Sequence, residues 1–340
     1  MEKPEKAPYI LGPRADWPLL VFAPLLGLAV GLLLGLTPLG TRPVRFFGAS
    51  GTVADGFIGV FITAHLALVF FRSHGNPEVF ARWPWRFTYV PLALFATILA
   101  FPLARAAAAV LAVWWDVYHS SLQTFGIGRI YDRLAGNDPK EGRWPEILLN
   151  HFLYIGPILA GASLPLHTRV FAEFENAGWE GAAAWAGTLL RARPVMGGWL
   201  AGVGAAYVLG FLVWTVASGQ RVPSRKVWLY VSTAATSVWA WGYNPLGMAL
   251  FIMNFFHALQ YFALVWRYEE GNIARVFGLP SDAEGRRRAF GAFVGAGVAY
   301  GVAGGLLGEL SQTALCVTLV VSLMHFWYDG FVWSVRAGDA

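Results

Sequence analysis

The 340-residue chain is 56% hydrophobic and 13% charged, with a mean hydropathy of +0.51, a balance that excludes an ordinary soluble globular protein. Its formal charge of +5 rests on arginines that flank apolar runs, so there is no basic face interleaved with aromatics of the kind that grips nucleic acid. The single cysteine, Cys316, lies inside an apolar run, which excludes a disulfide framework, a CxxC motif and a thiolate cluster.

Residues 1–16 read as a polar, proline-containing cytoplasmic tail, and the apolar run over 17–39 has no A-x-A-like cleavage site after it. With a span template of roughly 20 residues, helices are expected over 17–39, 52–72, 86–104, 106–128, 145–165, 197–218, 226–243, 245–267, 288–308 and 311–335. The expected fold class is therefore an all-α integral membrane protein, a polytopic bundle of about ten transmembrane helices. A single domain covers 17–336, and 337–340 form a C-terminal tail.

Pro38, Pro43, Pro77, Pro84, Pro139 and Pro223 mark loops, 102–105 makes a tight connection, and Ser281 with Glu284 reads as a capping box before the ninth helix. The segment 166–196 mixes Phe171, Phe174, Trp179 and Trp185 with Glu173, Glu175 and Glu180. That pattern fits an extracytoplasmic helix lying on the membrane surface, or a cap over a lateral opening.

When the loops are taken alternately, nineteen of the 25 lysines and arginines fall on one side. The other six are Arg42, Arg45, Arg105, Arg169, Arg191 and Arg193. This asymmetry predicts that both termini are cytoplasmic, in the inner or plasma membrane of a bacterium.

Seven histidines are present, and His74 and His167 fall in loops. The other five sit on five different helices: His65, His119, His151, His257 and His325. Each lies about 7 to 11 residues from a basic cytoplasmic flank, roughly 10 to 16 Å at the helical rise, so all five are expected at one depth. Asp116, His119 and Gln123 form one polar stripe, and Asn254, His257, Gln260 and Tyr261 form another. His325 and Asp329 stand one turn apart in LMHFWYDGFVW, whereas His65 has no polar partner at helical spacing. Asp55 and Glu309 map to the opposite end.

Ionisable groups inside a membrane mark function by default. The expected ligands are His65, His119, His151, His257, His325, Asp116 and Asp329, with the two aspartates also in catalytic roles. Gln123, Asn254, Gln260 and Tyr261 would orient the cofactor or its ligands. Imidazole and carboxylate without thiolate favour iron, one ion or two, with zinc or haem b as alternatives. Such a site suits an oxygen-dependent oxidoreductase that hydroxylates, desaturates or cleaves a hydrophobic lipid or isoprenoid substrate. Its expected partners are membrane lipids and a cytoplasmic electron donor. A haem-binding electron carrier is a second reading, and a proton-coupled transporter or structural subunit is a third.

The chain resembles the histidine-rich membrane desaturases and hydroxylases in general character, without their HxxxH and HxxHH boxes, and it has no HExxH. Its scattered intramembrane histidines with nearby aspartates are also similar in kind to the membrane carotene-cleaving oxygenases, whose motifs do not align onto His119, His257 or His325.

Overall fold

The computed structural model describes residues 9–46, 49–138, 140–308 and 311–333. The expectations placed on residues 1–8, Pro139, Glu309 and 334–340 lie outside these. The protein is all-α, 82% helical, and each expected span coincides with a helix. These are α1 (Ala23–Gly35), α2 (Val53–Arg72), α3 (Pro84–Ala100), α4 (Pro102–Leu134), α5 (Arg143–Ala160), α6 (Ala182–Ala217), α7 (Ser224–Ser237), α8 (Ala249–Val276), α9 (Ala283–Gly308) and α10 (Gln312–Val332). One small antiparallel hairpin, β1 (Val44–Phe46) with β2 (Ala49–Gly51), joins α1 to α2.

Among the described residues, α2, α6, α8 and α10 are long and apolar enough to cross a bilayer. A fifth candidate is α5 taken with Leu164–Asn176, whose halves are bent at 94°. The chain is thus a multi-pass, membrane-embedded helical protein. Helix α4, at 33 residues, has ample length for a span. The polar residues in its middle, among them Asp116, His119 and Gln123, take it out of the apolar class.

Three local expectations change. The cap of α9 is Asp282, whose Oδ1 accepts from Gly285 N at 2.7 Å, while Glu284 pairs instead with Arg287 and Arg288 along the helix surface. The surface segment 166–196 splits into short helices to Asn176 and a first half of α6, which runs unbroken through Pro194. The expected tail is packed down at Asp16, which is fully buried and accepts from Ile10 N, Leu11 N and Gly12 N and from the Tyr131 hydroxyl at 2.9 Å.

Helix α8 is the axis of the bundle, because the face carrying Phe251, Ile252, Phe256 and Ala258 is apolar and wholly buried. Close approach needs small partners: a Cβ at Gly31 of α1 would fall 2.2 Å from the Ile252 side chain. Two buried ion-pair clusters clamp one end of the bundle. Arg129 Nη1 donates to Asp132 and Glu146 at 2.8 Å each, and Lys226 Nζ reaches both carboxylates at 2.6 Å, which ties α4, α5 and α7 together. Arg72 of α2 pairs with Glu269 of α8 and donates to Val332 O at 3.1 Å, which holds the end of α10. Removing one member of such a pair strands the other charge, at a cost of about 3–5 kcal/mol.

Candidate metal centre

Helices α2, α4, α8 and α10 converge so that four imidazoles face one another. The ring centroids of His65 and His257 are 5.1 Å apart, those of His257 and His119 5.0 Å, those of His119 and His325 4.8 Å, and those of His325 and His65 5.1 Å. The four rings form a closed circuit, and all four residues are buried. His65 follows a π-helical stretch, Ile58–Ile62, whose wider turn re-aims the residues after it.

The electrostatics of the site are set by what these rings lack. His65 Nδ1 donates to the Ile62 carbonyl, which fixes its tautomer and turns Nε2 inward. That Nε2, His119 Nε2, both nitrogens of His257 and one of His325, whose ring also has the Leu66 backbone beside it, are buried without a hydrogen-bond partner. A neutral imidazole always carries one donor and one acceptor. Each unmet group costs about 1–3 kcal/mol, and a shared cation is one partner that would satisfy several of them together.

Asp329 completes the set. Its Oδ1 accepts from the Tyr261 hydroxyl at 2.9 Å and from the Trp333 indole Nε1 at 3.0 Å. Its Oδ2 is left facing His119 Nε2 at 3.6 Å and His325 Nε2 at 3.9 Å. These separations are too long for hydrogen bonds. Two ligands bound to one ion at ~2.1 Å stand about 3.4 Å apart at a tetrahedral angle and about 4.2 Å apart when opposite, so both distances suit a shared ion. Potential ligand atoms of His65, His257 and His325 lie within 4.8 Å of one another, as do those of His119, His325 and Asp329, so His325 belongs to both groups.

The remaining expected residues are placed differently. His151 is not brought to the circuit: its Nδ1 meets Ser121 Oγ at 2.6 Å and its ring lies 4.8 Å from that of Tyr118. Ser121 is two residues from His119, roughly 200° around α4, so His151 contacts the far flank of that helix. Asp116 bonds to Asn254 and joins neither ligand group. Gln123 donates to the His257 carbonyl and to Gln260 Oε1, both at 3.0 Å, and Gln260 donates to Leu20 O at 2.8 Å. Asn254 donates to Leu250 O at 3.1 Å. These bonds tie α4 and α8 in register, while Gln123 Oε1 remains buried without a partner beside the cavity. Tyr261 orients Asp329 as expected. Trp333 does so too, and its signal was the i, i+4 spacing from Asp329 within the same motif.

A cavity of about 440 Å³ runs from His119 and Asp329 between Trp115, Tyr118, Phe326 and Trp327, and ends beside Arg129 and Arg143. It has the size and apolar lining of a small-molecule site. No protein-family model, curated protein or solved structure matches the chain.

Proposed function

We propose that the protein is a membrane-embedded non-haem metalloenzyme, with His65, His119, His257, His325 and Asp329 holding iron as one ion or two, that oxidises a lipid or isoprenoid chain in the adjoining cavity. The observation that carries this reading is the set of five buried, unpartnered imidazole nitrogens around an oriented carboxylate oxygen. Iron in an all-nitrogen and oxygen shell supplies oxygen activation. The chain's own part is to fix the imidazole tautomers, exclude water and hold the apolar substrate against His119. Oxidation of a C–H bond with dioxygen also draws electrons, and a cytoplasmic donor would supply them.

Haem b fits less well. His257 and His325, with centroids 6.4 Å apart, have the separation of axial ligands on one haem, but the rings of His65 and His119 lie within 5.1 Å of both and occupy the space a porphyrin plane would need. The topology that accompanies this reading is ten crossings with both termini in the cytoplasm, in a bacterial inner membrane. It rests on the basic residues at alternate helix ends.

Elemental analysis and an absorption spectrum of detergent-purified protein test the proposal. Stoichiometric iron without a Soret band is the expected result, together with its loss from His119→Ala, His257→Ala and His325→Ala proteins that still insert in the membrane. Metal that survives all three changes, or a Soret band, would overturn it.

A further inference from the structure

Resting on the metalloenzyme reading, we infer that the substrate is an amphipathic lipid with a single acidic head, carboxylate or phosphate, which is anchored by Arg143 while its apolar chain runs inward to His119 and Asp329. The two arginines that line the cavity differ in kind. Arg129 is neutralised: it bonds Asp132 and Glu146, and its Nη2 donates to the carbonyls of Asp138 and Glu141 at 3.0 and 2.9 Å. Lys226 balances the same two carboxylates, so that network has no net charge to offer.

Arg143 has no acidic partner among the described residues. Its guanidinium instead lies over the rings of Phe125, at 5.9 Å, and Trp144, at 5.5 Å. Stacking on two aromatics holds a cation in place without neutralising it. The site is therefore a preset anion anchor, at the end of a cavity whose remaining lining is mostly aromatic and aliphatic. A wholly apolar substrate would give this guanidinium nothing to bind. A short soluble anion would leave the rest of the apolar cavity unfilled.

The spacing adds a constraint. Phe125, under Arg143, is six residues along α4 from His119, which is about 9 Å at the helical rise. A head held at Arg143 therefore sets a carbon in the middle of the chain, not one beside the head, against the metal ligands. Trp144 is 73% exposed, which leaves the mouth accessible from the side.

Binding tests this without turnover. In detergent-purified full-length protein, quenching of the tryptophans by a dibrominated stearate is compared with quenching by its methyl ester. The acid is expected to bind about tenfold or more tightly, the scale of one hydrogen-bonded charge pair. Arg143→Gln should bring the acid down to the level of the ester, with ester binding and metal content unchanged, and Arg143→Lys should recover part of the preference. Equal binding of acid and ester by the wild type, or an undiminished preference in Arg143→Gln, would overturn the inference. Displacement of the acid by inorganic phosphate alone, as readily as by unbrominated stearate, would show a simple anion site and overturn the lipid assignment. Wild-type protein that lacks metal yet prefers the acid would overturn the metal centre and support the anchor.

Discussion

Replacing Asp329 by Asn separates a metal centre from a buried salt bridge by the sign of its effect. The change keeps the volume and lets the amide oxygen take the place of Oδ1, still accepting from Tyr261 and Trp333. The other branch becomes an NH2 group where Oδ2 stood, 3.6 Å from His119 Nε2 and 3.9 Å from His325 Nε2, both unpartnered. A shift of a few tenths of an ångström turns either distance into a hydrogen bond. Metal-free protein should therefore gain about 1 kcal/mol, the net worth of one such bond. Metal-replete protein should lose stability, because a carboxylate ligand is gone. A hundredfold weaker site at saturating metal removes about 2.7 kcal/mol of binding linkage. Thermal unfolding in detergent, with and without a chelator, reads both arms. If Asp329 served only as counter-charge to a protonated histidine, Asp329→Asn would destabilise both forms, and that result would refute the reasoning.

Tyr261→Phe removes one of two donors to Asp329 Oδ1 and should weaken metal binding about tenfold, with little change in inserted protein; metal titration checks it. His151→Ala should leave metal content unchanged, since His151 bonds to Ser121 outside the imidazole circuit; loss of metal there would mean that the ligand set is wrong. His74 supplies a pH prediction. Burial holds its imidazole below the ordinary value, so the folded state keeps it neutral while the unfolded chain takes up a proton as the pH falls through about 6.5. Stability is thus lost on the acid side, and unfolding measured from pH 7 to 5 should fall less steeply in His74→Phe than in the wild type.

The helices were legible because their apolar runs are long and their ends carry proline or arginine. The site was legible where it obeys helical spacing. His325 and Asp329 share a face, as do His257 and Tyr261, and all are found together. His65 was the least supported by local pattern, yet it completes the circuit, because its neighbours come from α8 and α10 and no i, i+4 count can register them. His151 shows the converse: depth along a span fixes height but not azimuth, so a histidine at the right level faces another flank. Gln123, Gln260 and Asn254 lie beside the histidines and bond to backbone carbonyls and to one another, with Gln123 Oε1 left over. Arg72 with Glu269 pairs residues 197 positions apart, a separation over which sequence spacing carries no information.

The same logic explains why α4 fails as an apolar span while lying beside the centre of the bundle. It supplies His119 to the ligand circuit, Gln123 to the bonds with α8, Phe125 beneath Arg143 and Arg129 to the buried charge cluster, all within eleven residues. His119, Gln123 and Arg129 lower its hydropathy, and each has a partner on α5, α8 or α10. On the proposed reading, the candidate site draws most on the helix with the most polar partners. Helix α6, whose most apolar stretch has none of its residues buried inside the protein, carries no residue of the site. If this division of labour holds, polar substitutions along α4 should act on metal or lipid binding, whereas those along α6 should act on membrane insertion alone.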